Sequence, residues 1–124
     1  MTVMPYGQNL NTLVGMADRL KQIEKTSIHS GDWICVQTGN SVYSIRAVGD
    51  GYFQISGGWF DRKGLSPSNL RINGCTWGGS AIKTDIAAAC GLCMEIGLPA
   101  GERKKRLVTS PIRKIFFIPA TSLN

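Results

Sequence analysis

The chain has 124 residues, enough for one domain with its own hydrophobic core and too few for two ordinary ones. Its 43% hydrophobic and 18% charged residues are those of a folded, water-facing domain, not of a disordered chain or a bundle of membrane spans. The net charge of +6 admits anionic partners, and the four cysteines require no disulfide framework.

At the N-terminus, residues 1–7 have neither a basic n-region nor an apolar h-region, so a cytoplasmic protein with reduced thiols is expected. Residues 9–25 follow with an apolar stripe of Leu10, Leu13, Val14, Ala17, Leu20 and Ile23, while Asp18, Arg19, Lys21, Gln22, Glu24 and Lys25 stay outside it. That period predicts an amphipathic helix, with Asn9 or Asn11 as its N-cap. Gly15 costs it about 1 kcal/mol relative to alanine. The helix is therefore expected to depend on packing, as a lid on the domain or against a second copy.

After a polar connector over 26–31, residues 33–38 read as a strand, Gly39-Asn40 as a tight hairpin, and 41–48 as the returning strand. On this second strand Tyr43, Ile45 and Ala47 share one face, and Val42, Ser44, Arg46 and Val48 the other. Gly49-Asp50-Gly51 turns the chain into a third strand over 52–56, which completes an antiparallel meander. Residues 59–69 read as a loop and 70–72 as a short strand, while Gly78-Gly79 interrupts any regular element in 74–85. Over 86–96, Ala87-Ala88-Ala89 favours helix but the alternation favours strand, and strand is preferred at least over 91–96. Strands over 106–109 and 113–118 finish the sheet, with Pro111 at a bend or edge.

The expected architecture is mainly β: a small curved antiparallel sheet or partly closed barrel of about six to eight strands, capped by the N-terminal helix. Residues 1–30 form the tail, helix and connector, 31–118 the β domain, and 119–124 a C-terminal tail. Ile115-Phe-Phe-Ile118 is the longest candidate for membrane insertion, far short of the roughly 20 apolar residues a spanning helix needs.

Three polar clusters interrupt the alternating runs: Thr38-Gly-Asn-Ser-Val-Tyr43, Trp77-Gly-Gly-Ser80 and Thr109-Ser-Pro-Ile112. Together with Gly57-Gly58, Gly74-x-Thr76, Lys83 and Ile115, their order and spacing resemble those of a short bacterial family of uncharacterised all-β proteins. The resemblance covers 31–118 and implies a compact β domain. It implies no activity, ligand or site residue, and neither the N-terminal helix nor the basic 103–106 tip belongs to it.

Catalytic and metal chemistry find little support. Cys90-Gly-Leu-Cys93 would need a helix N-terminus for redox work or two further ligands for zinc, and the chain has one histidine, His29. Cys35 and Cys90 lie among apolar neighbours and read as small buried hydrophobes. Gly78-Gly79-Ser80 with Lys83 lacks the Gly-Lys-Ser/Thr run of a phosphate loop and reads as a barrel corner. No catalytic, cofactor-binding or metal residue is assigned.

Binding is better supported. Small β folds hold single-stranded nucleic acid on aromatics beside basic groups, and the chain offers Trp33, Tyr43, Tyr52, Trp59, Phe60 and Trp77 with Arg46, Arg62, Lys63 and Arg71. The leading reading is a non-catalytic binding module, self-associating through the N-terminal helix or an edge strand, with Asn40, Ser41, Tyr43, Ser80 and Ser110 toward one rim. The alternative is a single-stranded nucleic-acid binder that uses Trp59, Arg62 and Lys63 with the basic tip Arg103, Lys104, Lys105 and Arg106. A third class, a small barrel enzyme of unspecified reaction, requires His29 or an aspartate to face a pocket.

Overall fold

The computed structural model describes residues 18–78 and 81–123. Its strands are β1 (Asp18–Leu20), β2 (Gln22–Glu24), β3 (Trp33–Thr38), β4 (Val42–Gly49), β5 (Tyr52–Gly57), β6 (Ser68–Leu70), β7 (Ile72–Thr76), β8 (Ile82–Lys83), β9 (Ile86–Ala89), β10 (Cys93–Gly97), β11 (Arg106–Val108) and β12 (Ile112–Ile118). Among the described residues a short helix, α1 (Gly58–Arg62), follows β5 directly, and 3-10 turns occupy Lys25–Ser27 and Ala120–Leu123. The strands pair as a six-stranded sheet in the order β1-β12-β3-β4-β5-β6, a four-stranded sheet β11-β10-β7-β8, and the pair β2-β9.

All of these pairings are antiparallel, as alternating runs joined by short turns favour. The 32–56 meander forms as expected, with Tyr43, Ile45 and Ala47 of β4 buried and Val42 and Val48 exposed. Asp50 and Gly51 both have positive φ, 56° and 77°, which suits the tight β4–β5 turn to the right-handed twist of its strands. Ile34, Val36, Ile45, Ile55 and Ile115 of the larger sheet meet Ile72, Met94, Ile96 and Leu107 of the smaller one in a single core. Arg71 alone separates β6 from β7, so the chain passes from one sheet to the other at that residue.

Several expectations are corrected. The sheets do not close into a barrel: β1 and β6 end the larger sheet, β11 and β8 the smaller one, and the strand segments outnumber the six to eight expected. The predicted helix fails over 18–25, where the chain forms β1, β2 and the start of a 3-10 turn. Pairing of β1 with β12 and of β2 with β9 buries Ile23 and overrides the local helical period. Its remainder, 9–17, lies outside the described residues. The expected 59–69 loop instead begins inside α1, whose Phe60 is wholly buried, and ends inside β6.

The alanine run resolves as strand. In β9, Ala87 and Ala88 face the main core, while Ile86 and Ala89 pack with Cys75 in a second apolar cluster. Small side chains allow a strand to be covered on both faces. Cys90 is exposed in the turn after β9, contrary to expectation, whereas Cys35 and Cys75 are buried and their thiols pushed up to about 11. Burial disfavours the reactive thiolate. A thiol reagent is therefore expected to label Cys90 first and Cys93 next in the folded protein, with Cys35 and Cys75 reacting only on unfolding. Mass-spectrometric mapping reads the order, and early labelling of Cys35 would contradict the fold.

Candidate functional site

Two neighbourhoods carry the surface chemistry. The first joins the β3–β4 turn, α1 and the β11–β12 connection. Thr38 Oγ1 accepts from the N–H groups of Asn40 (3.3 Å) and Ser41 (3.0 Å), which shapes the turn from within. Asn40 Nδ2 then donates to Ser110 Oγ at 2.8 Å, and Arg62 Nη1 to Ser41 Oγ at 3.4 Å. Thus two of the three polar clusters meet.

The aromatic members here are structural. Tyr43 is buried, and its hydroxyl accepts from the Trp59 N–H at 3.4 Å. Phe60 stands edge-on to Tyr43 at 6.2 Å and to Trp59 at 5.2 Å between ring centroids. Trp59 is half-buried against the core, with the Lys63 ammonium 5.7 Å from its ring. Ser80 lies outside the described residues. The basic tip is exposed between β10 and β11, and Arg106 pairs with Glu95 at 3.3 Å, which ties the tip to β10 and not to α1.

The second neighbourhood is a cleft of about 800 Å³ beneath the β4–β5 turn, where the two sheets part. Phe53, Ile72 and Ile82 supply apolar lining, and Lys25, His29, Tyr52, Arg71, Asn73 and Glu95 supply polar groups. Glu95 is neutralised: it accepts from Asn73 Nδ2 at 3.0 Å and pairs with Arg106. His29 is exposed, and its neighbour Asp32 is an anchor whose carboxylate accepts from the His29 N–H and the Ala120 N–H, each at 2.8 Å. Buried carboxylates are held by such bonds.

Arg71 is exposed at the cleft. Its carbonyl accepts from the Gly97 N–H at 3.0 Å, and its guanidinium lies over the Tyr52 ring, 4.5 Å from the centroid. A side chain at Gly51 would meet Arg71 Nη1 at 3.3 Å, so glycine leaves the guanidinium its room beside the turn. Deeper in the cleft Lys25 Nζ donates to the Asn73 carbonyl at 3.1 Å. Its pKa is lowered, first by burial, with Arg71 adding to the effect against the opposing pull of Cys75 and Asp85. Among the described residues neither cation has a carboxylate within ion-pairing distance. The cleft thus brings the cations Lys25 and Arg71 together with the carboxylates of Asp50 and Glu95 along a partly apolar lining.

Sequence reasoning had noted Tyr52 and Arg71 only as members of an inventory, and had read Lys25 as a helix-surface residue. Nothing in local spacing joins positions 25, 52 and 71; they meet because the six-stranded sheet hands the chain to the four-stranded one beside the β4–β5 turn. Among the described residues no group of three or more His, Cys, Asp and Glu side chains could hold a metal ion, and no helix is long and apolar enough to cross a membrane. Comparison with protein-family models, curated proteins and solved structures gives no match.

Proposed function

We propose that this chain is a small non-catalytic binding module that receives an anionic ligand in the cleft of Lys25, Tyr52 and Arg71. The observation that carries this reading is the Arg71 guanidinium, 4.5 Å from the centre of the Tyr52 ring at the cleft and with no carboxylate partner among the described residues. A planar guanidinium offers paired N–H donors to a phosphate or carboxylate. Lys25 supports it, since an anion nearby would restore the stability of its charged form.

Tripolyphosphate is a simple probe. Binding followed by calorimetry is expected to weaken with salt and to fall about tenfold or more in Arg71→Ala, as a lost charge-assisted bond implies. Binding unchanged in Arg71→Ala but lost in Arg62→Ala would move the site to α1 and overturn the assignment. Membership of the short bacterial β family is likewise proposed, on motif order alone. Self-association is not part of this reading: the strands that end the sheets, β1, β6, β8 and β11, have two or three residues each among the described residues, and short edges discourage pairing.

A further inference from the structure

Resting on that reading, we infer that the anion is the phosphate of single-stranded nucleic acid, with an unpaired base stacked beside Arg71. Tyr52, 41% exposed, and Arg71, also exposed, stand at the cleft rim, so the stacked pair faces solvent. Exposed aromatic rings and guanidinium groups both offer faces on which an unpaired base can stack, and the guanidinium N–H groups can donate to a phosphate. Duplex bases have both faces covered by their neighbours and cannot dock this way. The apolar lining from Ile72 and Ile82 would cover the sugar and base edges, and Lys25 would meet an adjoining phosphate. A cleft of about 800 Å³ is within the range of small-ligand sites.

The same pairing recurs. Lys83 lies 5.5 Å from the ring of Trp77, which is 61% exposed on the turn between β7 and β8. Aromatic platforms beside positive charge are what sequence-tolerant strand binding uses. A base-free polyanion would have no use for them.

The test is fluorescence anisotropy of a labelled oligouridylate and its deoxythymidine counterpart on the full chain. Unlabelled duplex, tripolyphosphate and heparin serve as competitors. Arg71→Ala, Arg71→Lys, Tyr52→Ala and Arg62→Ala are compared, each first checked for an unchanged unfolding midpoint. Single strands are expected to compete at least tenfold better than duplex. Tyr52→Ala and Arg71→Lys should each weaken oligonucleotide binding about tenfold, while Arg71→Lys retains tripolyphosphate because the charge remains. If tripolyphosphate binds through Arg71 but oligonucleotides gain nothing from Tyr52 or the guanidinium plane, the nucleic-acid inference falls and the anion reading stands. If neither probe binds, both fall. Oligonucleotide binding that depends on Arg62 and not Arg71 also overturns the inference.

Discussion

Phe60→Ala is expected to lower the unfolding free energy by about 3–5 kcal/mol. The ring is wholly buried, with Tyr43 and Trp59 edge-on to it. Truncation removes its transfer free energy and leaves a cavity that close-packed neighbours fill only in part. The local consequence is as large, since α1 has five residues and a helix that short has no stability of its own. Without Phe60 as its anchor, the turn that presents Trp59, Arg62 and Lys63 comes loose. Against a total of about 5–15 kcal/mol for a domain, such a loss leaves the protein barely folded. Urea unfolding measures it, with Lys104→Ala as an exposed control expected to change stability by under about 0.5 kcal/mol. A loss below about 1 kcal/mol for Phe60→Ala would mean that this ring is not in the core.

Gly74→Ala is expected to cost about 3 kcal/mol and to damage the cleft as well. Gly74 has φ 149°, and a Cβ there would run into the Lys83 carbonyl oxygen of the neighbouring strand. The obstacle is backbone, which cannot swing aside as a side chain can. Relief requires β7 and β8 to separate, and Ile82 of β8 lines the cleft along with Asn73 of β7. The variant should therefore lose stability and tripolyphosphate binding together. Gly64→Ala is the comparison: Gly64 also has positive φ, 69°, but nothing within 4 Å of an added Cβ, so only backbone strain of about 1 kcal/mol applies. Equal losses at the two sites would show that the β7–β8 approach is wider than described.

How much was legible in the sequence follows from how local each signal is. The 32–56 meander was legible because Tyr43, Ile45 and Ala47 alternate with polar or exposed neighbours and Gly49-Asp50-Gly51 marks its turn. Residues 18–25 misled, since their helical period is real but their pairing partners, β12 and β9, lie more than 60 positions away. The alanines of β9 left helix and strand open, since their smallness serves a strand covered on both faces as well as a helix. Arg62, Ser41, Asn40 and Ser110 could be named from polar clusters, and the fold brings them into contact. The cleft could not be named, because Lys25, Tyr52 and Arg71 come from three separate elements whose meeting depends on one crossing between sheets.

The central claim, that the cleft and not α1 receives the ligand, is tested most directly by nitrogen–proton NMR of the labelled full chain titrated with single-stranded oligonucleotide. The expected result is a set of shifts at Gly51, Tyr52, Asn73 and the backbone and side-chain N–H of Arg71, all of which line the cleft. Shifts confined to residues 38–43 and 58–63, or to the 103–106 tip, would contradict it.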